Sequence, residues 1–256
     1  MSDPAIHLDD KILAQLRQDF LADAWERLES MERAVSDGPV GEEGLLTIRR
    51  EAHSLKGMGG SFGFPSVTLL AHRLEDYLAQ LSALTPRQVA DVDAFLDCLR
   101  SIFDLGQDAG DRRTSEMIRR LPAHPSVEIL EGKARDVEIL LITPSRAVSR
   151  MLVGELRSLG YRVTTARTPW EAMEMAVCAP PDLVITAAVM DRVNGVDLAR
   201  AFRAMAATEQ LRLALLTSFS SEHPEMRRLP SDVPIIRLGR SLTGDLAKVI
   251  TDFGLA

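Results

Sequence analysis

From residue 10 to 35 the apolar positions Ile12, Leu16, Phe20, Ala24, Leu28, Met31 and Val35 recur three or four apart. That spacing draws one stripe along a long amphipathic helix. A break follows at Asp37-Gly38-Pro39-Val40-Gly41. A second helix is predicted over residues 42–60, with Leu45, Ile48, Ala52 and Leu55 on one face. It stops in Gly59-Gly60-Ser61-Phe62-Gly63-Phe64-Pro65, where glycines and a proline end the periodicity. A third helix, residues 66–81, carries Val67, Leu70, Leu74, Leu78 and Leu81 in its stripe. Thr85-Pro86 reads as an N-cap with proline in the first helical position, opening a fourth helix that runs to about Leu105. A small extra helix fits residues 115–121. Short connections between amphipathic helices predict an all-α up-down bundle.

The pattern then changes. Residues 137–142 form a short apolar run rich in β-branched side chains, and further short runs follow at 161–165, 182–186, 212–216 and 234–238. Helical stretches lie between or after them at 146–159 (with Gly160 placed to cap it), 170–178, 195–205 and 242–253. Strands alternating with helices predict an α/β domain, a five-stranded parallel sheet wound on both faces. The expected division is a helical domain over 1–121, a linker over 122–135 and an α/β domain over 136–256.

Composition narrows the function classes. The 256 residues are 46% apolar and 26% charged, with a formal net charge of -7. Residues 1–121 hold 14 Lys and Arg against 21 Asp and Glu; residues 122–256 hold 16 against 16. The whole acidic excess therefore lies in the helical half, which argues against nucleic acid as its partner, since phosphate contacts need a basic surface. No run of about 18 apolar residues suggests a membrane-spanning helix, and residues 1–11 are acidic without the apolar core of a signal peptide. Cys98 and Cys178, far apart in sequence, make neither a disulfide framework nor a zinc site. A cytoplasmic protein without a bound metal or cofactor is expected.

His53 stands out on the second helix. At 100° per residue the apolar stripe centres roughly 130° away from it, so the imidazole points off the core. Arg49, Lys56, Gly57 and Gly60 share its side of the wheel. Each glycine inside a helix costs about 1 kcal/mol relative to alanine. Gly57 and Gly60, with Arg49, are therefore read as a face kept clear for a docking partner. Gly59 and Gly60 also read simply as the end of the helix; Gly57 does not. Lys56 is one turn from His53, where an ammonium favours a neutral, nucleophilic ring and would offset the charge of a phosphoryl group on it. Glu75 lies on the shoulder of the third helix, where a carboxylate could take a hydrogen bond from one ring nitrogen and leave the other free to attack.

These residues resemble a family. Ala52-His53-Ser54-Leu55-Lys56-Gly57-Met58-Gly59-Gly60-Ser61-Phe62-Gly63-Phe64 is similar to the signature of histidine-containing phosphotransfer domains, especially the first domain of chemotaxis-type histidine kinases. His72-Arg73-Leu74-Glu75-Asp76 resembles that subfamily's third-helix segment. The resemblance covers residues 9–105. It implies that His53 takes a phosphoryl group from a kinase or a phospho-receiver and hands it to an aspartate, with Lys56 supporting the group and Glu75 orienting the ring. No Gly-rich nucleotide-binding segment is legible, so a phosphotransfer intermediate is expected, not a self-sufficient kinase.

The second half resembles a bacterial response-regulator receiver domain, which is flavodoxin-like, over residues 137–253. Ile139-Leu140-Leu141-Ile142-Thr143-Pro144 aligns with the first strand and the acidic pair after it, Pro181-Asp182-Leu183-Val184-Ile185-Thr186-Ala187 with the strand that ends on the phosphoacceptor aspartate, and Leu215-Leu216-Thr217-Ser218 with the switch threonine. The departures define this half. Thr143 and Pro144 stand where the family has metal-binding carboxylates, Ala187 where it has the aspartate, and Gly239-Arg240 where it has Lys-Pro. Of the family's active residues only Thr217 remains, and Mg²⁺ needs oxygen ligands, usually carboxylates. A pseudo-receiver is expected. Its arginines, Arg146, Arg150 and Arg157 on the first helix and Arg237 and Arg240 near the last strand, leave docking and self-association both open as roles. Two functions remain: a phosphorelay carrier working with histidine kinases or receivers, and a non-catalytic adaptor that regulates such partners by binding.

Overall fold

The computed structural model describes residues 4–36, 40–124, 135–220 and 222–256, with side chains from residue 12 onward. The predicted break at Asp37-Gly38-Pro39 and most of the linker expected over 122–135 lie outside them. The chain divides into two units, Met1–Pro122 and Ala123–Ala256.

The first unit is helical: α1 (Pro4–Ser36), α2 (Glu42–Gly59), α3 (Pro65–Leu78), α4 (Pro86–Leu105) and α5 (Asp111–Arg120). Helix α1 packs on α2 and α4, α2 on α3, and α3 on α4, which closes a four-helix ring; α5 lies against α3. The stripes meet inside it: Leu28, Met31, Leu45, Ile48, Leu55, Leu70, Leu74 and Leu99 are fully buried. The buried carboxylate of Glu51 takes the Arg27 guanidinium at 2.8 Å, tying α2 to α1. Thr85 caps α4 as its sequence predicts, and Gln88 completes the reciprocal capping box. Ser66 and Thr114 share a buried hydroxyl contact, and Asp108 accepts from the Ser66 backbone and side chain, which fastens α5 to the start of α3.

The helix ends differ from expectation in three places. Helix α1 starts at Pro4, and Ile12 and Leu16, predicted as core, are 51% and 43% exposed. The stripe there runs past the end of the bundle, and burial begins at Phe20, which stacks on Phe62 and packs at a tilt against Phe64. Helix α3 ends at Leu78, not Leu81, because Ala79 turns extended (ψ 133) and Gln80 is left-handed (φ 67). Helix α5 starts four residues earlier than predicted.

The second unit is a parallel sheet of β1 (Glu138–Ile142), β2 (Arg162–Ala166), β3 (Leu183–Ala187), β4 (Leu213–Thr217) and β5 (Ile235–Arg237), in the order β2-β1-β3-β4-β5. The helices are α6 (Arg146–Ser158), α7 (Pro169–Cys178), α8 (Gly195–Ala204) and α9 (Leu242–Asp252). Between β4 and β5 the described residues form only a 3-10 segment, Pro224–Arg228. Alternate strand residues face opposite ways: Ile139, Leu141, Ile185 and Leu216 join Leu152 and Leu156 of α6 and Leu246 and Ile250 of α9 in one core. Gly160 ends α6 at φ 89, as predicted. The strand order is the doubly wound, flavodoxin-like one, whose switch point opens at the carboxyl ends of β1 and β3. No helix among the described residues is long and apolar enough to cross a membrane.

Gly59 sets how closely α2 and α3 approach. A Cβ there would stand 2.9 Å from the Phe64 carbonyl oxygen and from Thr68 Oγ1. Gly59→Ala is expected to lower the stability of the helical unit by about 1–3 kcal/mol through overpacking. Urea unfolding followed by Trp25 fluorescence in a Trp170→Phe background measures it.

Candidate functional site

The site is built between α2 and α3. Packing Leu45, Ile48, Ala52 and Leu55 inward leaves His53 on the outer face, its side chain 74% exposed. On α3, the buried residues Leu74, Tyr77 and Leu78 place Glu75 on the edge that meets α2. The ring nitrogen Nδ1 of His53 lies 2.8 Å from Glu75 Oε1, and Lys56 Nζ lies 2.5 Å from Glu75 Oε2. One carboxylate thus bridges an imidazole and an ammonium. Lys56 and Glu75 are about three-quarters buried while the ring is open.

This geometry has a chemical consequence. A carboxylate can only accept, so in the neutral ring the proton belongs on Nδ1 and the lone pair on Nε2. Nε2 is then the ring atom with a lone pair open to solvent. Lys56, expected one turn from the ring, has its ammonium bound to Glu75, the same carboxylate that holds the imidazole. His72, in the same α3 segment, is a core residue 3.6 Å from the Asp76 carboxylate.

The three residues expected to form a docking face divide. Gly57 and Gly60 are exposed beside His53, and a Cβ on Gly57 would meet nothing within 4 Å, so no packing inside the chain requires a glycine there. Arg49 does not offer a free guanidinium. Its Nη2 donates to the carbonyl oxygens of Leu78 at 2.5 Å and Leu81 at 2.8 Å, at the end of α3. Thr68, which the sequence did not single out, accepts from Gly60 N–H at 2.8 Å and donates to the Lys56 carbonyl at 3.2 Å. Its two bonds bridge positions 8 and 12 residues away, so no local pattern could have marked it.

In the second unit the receiver-aligned positions gather at one edge of the sheet. Thr143 follows β1, Ala187 ends β3, Thr217 ends β4 and Gly239 follows β5. Thr143 is buried and its hydroxyl accepts from Ser145 N–H; Thr217 is buried and accepts from Phe219 N–H. Pro144 is exposed and Gly239 is left-handed (φ 114). None of Thr143, Pro144 and Ala187 has a carboxylate, and no group of three acidic, histidine or cysteine side chains placed to hold a metal occurs among the described residues. These residues do not fit a Mg²⁺ ion. Asp191 is exposed in the loop after β3. Arg146, Arg150, Arg237 and Arg240 are exposed, but Arg157, expected beside them, is buried. Burial pushes the Cys98 thiol up, away from the thiolate, with the Asp97 carboxylate adding to it.

A family model described as the Hpt domain matches residues 15–102, the segment that holds His53, Lys56 and Glu75. No curated protein matches the chain. Solved structures similar to the second unit are receiver domains. The N-terminal domain of a response regulator receiver protein from Methanoculleus marisnigri JR1 is 22% identical, covers 45% of this chain and 94% of that chain, and has a TM-score of 0.38. The chemotaxis protein CheY4 of Vibrio cholerae is 21% identical over 46% of this chain and 98% of that one, with a TM-score of 0.41. The receiver domain of a Pseudomonas aeruginosa sensor histidine kinase, solved with magnesium in its active-site cleft, is 19% identical over 46% and 98%, with a TM-score of 0.42. Residues 15–102 of the first unit thus match the Hpt domain model, and the second unit has the flavodoxin-like strand order, which its own pairing establishes.

The bridge predicts a measurable ring state. In ¹⁵N-histidine-labelled protein, His53 is expected as the Nδ1–H tautomer, with Nε2 at the shift of an unprotonated nitrogen. Glu75→Ala is expected to mix the tautomers; signals identical to those of the unsubstituted protein would mean that the carboxylate does not steer the ring.

Proposed function

We propose that this chain is a phosphorelay carrier in which His53 receives a phosphoryl group from a kinase or a phospho-receiver and passes it to a receiver aspartate. One observation carries the proposal: an exposed imidazole whose Nδ1 is held by Glu75, leaving Nε2 facing solvent as a nucleophile. The Hpt match over the same residues supports it. In the forward step the Nε2 lone pair forms the N–P bond as the donor's bond to phosphorus breaks. Charge that develops on the ring is met at Nδ1 by Glu75. In the onward step a carboxylate oxygen of the acceptor attacks phosphorus, the N–P bond breaks, and its electron pair returns to Nε2. Lys56 lies on the same face, where an ammonium offsets phosphoryl charge.

In this proposal the second unit is a receiver-like module without phosphoryl chemistry of its own, used for docking or regulation in the cytoplasm. Thr143, Pro144 and Ala187 at the switch-point edge support that, because they supply neither metal ligands nor an acceptor carboxylate. The same observation favours the second reading, an adaptor that regulates a histidine kinase or response regulator by binding alone. His53 separates the two readings.

Incubated with an active kinase or a phosphorylated receiver, the protein is expected to gain acid-labile, base-stable phosphate that His53→Gln abolishes. Label that persists in His53→Gln rules out the carrier, and a partner response unchanged in His53→Ala favours the adaptor.

Gly57→Ala divides stability from transfer. The methyl group meets open space and removes a helix-weakening glycine, so the helical unit is expected to gain up to about 1 kcal/mol. Transfer to or from a receiver is expected to slow several-fold, because the methyl group stands on the face the partner must reach. Urea unfolding and a transfer time course on one preparation read both effects, and an unchanged transfer rate would show that Gly57 is not on the docking face.

A further inference from the structure

Helix α3 is fastened to α2 by two polar clamps that bracket the His53–Glu75 pair. At its end, the last carbonyl of the helix (Leu78) and that of Leu81 accept from the Arg49 guanidinium. Arg49 stands one turn before His53 on α2, and a cation at a helix C-terminus is favoured by the exposed carbonyls there. Near the start of α3, Thr68 Oγ1 joins the closing turn of α2 by accepting from Gly60 N–H and donating to the carbonyl of Lys56. Glu75 lies between the clamps, seven residues after Thr68 and three before Leu78. Gly59, against which Thr68 Oγ1 and Phe64 O are closely set, lets the two helices come together there.

We propose that Arg49 and Thr68 are positioning residues: they fix the register of α3 against α2 so that the Glu75 carboxylate meets both His53 Nδ1 and Lys56 Nζ. Apolar contacts alone tolerate small slides of one helix along another; hydrogen bonds from the middle and the end of α2 to the end and the start of α3 do not. The 2.8 Å contact between ring and carboxylate is sensitive to such a slide, since a misplacement of about 1 Å in a reacting constellation can cost about a hundredfold in rate. Arg49 therefore acts inside the domain, through Glu75, and not as part of the surface that meets a partner. The inference rests on the phosphorelay reading for its kinetic consequence, but the ring geometry it predicts does not.

The test uses the full chain, labelled with ¹⁵N-histidine, in Arg49→Gln, Arg49→Lys, Thr68→Val and Thr68→Ser forms, with far-UV circular dichroism to verify the helices. Arg49→Gln and Thr68→Val are expected to shift the His53 ring nitrogens away from the Nδ1–H tautomer, toward the signals of Glu75→Ala. Both are expected to lower the maximal rate of phosphoryl uptake by on the order of tenfold, with the KM for the phospho-donor unchanged. Thr68→Ser, which keeps the hydroxyl, is expected to restore the ring signals. Arg49→Lys, with a cation but no planar fork, is expected to restore them in part. Unchanged ring signals in folded Arg49→Gln and Thr68→Val would overturn the proposal. So would a raised KM with an unchanged ring in Arg49→Gln, which would return Arg49 to the docking surface. A protein that takes up no phosphoryl group yet shows the tautomer shift would overturn the carrier reading and leave the clamps standing.

Discussion

One carboxylate, that of Glu75, holds two partners, and the chemistry of the helical unit depends on it. The Lys56–Glu75 pair is about three-quarters buried, so its attraction is offset in part by the cost of taking both charges out of water. Its consequence lies elsewhere. By accepting from Nδ1 it decides which ring nitrogen is left unprotonated, and by holding Lys56 it keeps a cation on the same face as the open ring. Both effects require α2 and α3 to lie close together and in a fixed register. Close approach comes from Gly59, where a side chain would strike the start of α3. The Arg49 and Thr68 hydrogen bonds span the same pair of helices.

The two units place their candidate site residues differently. The helical unit presents His53 on the outside of a closed ring of helices. The α/β unit keeps its sheet order and both packed faces, while the edge where receivers place their acids has Thr143, Pro144 and Ala187. Fold and site are separable here for a physical reason. The sheet is stabilised by apolar residues along the strands, such as Leu141, Ile185 and Leu216, whereas the edge positions follow or end the strands and bear little of the packing. The residue types at those positions can therefore vary without disturbing the core.

Much of the architecture was legible because burial imposes periodicity. The stripes on α2, α3 and α4, the Thr85 cap and the alternation of short apolar runs with helices each found their element. His53 was legible for the converse reason: a titratable residue far off an apolar stripe must face outward. The same logic misplaced Ile12 and Leu16, since a stripe records what a helix could bury and not where its neighbours end. It extended α3 to Leu81, an apolar residue that in the structure offers its carbonyl to Arg49 within the chain reversal. It also put Arg157 at the surface, although long side chains on a helix edge can lie along the sheet and be covered.

The sequence by itself determined the two fold classes, the outward-facing imidazole and the neutral residues where the strands end, because each follows from residue type and spacing within one element. Only tertiary structure decided what joins those elements. Glu75 holds both Lys56 and the ring, Arg49 donates to the carbonyls at the end of α3, and Thr68 ties the turn after Lys56 to the neighbouring helix. Those outcomes depend on where one helix comes to rest against another to within an ångström or two. Hydrophobic periodicity fixes which face is buried; it carries no information about the slide along that face, which hydrogen bonds between residues distant in the chain set.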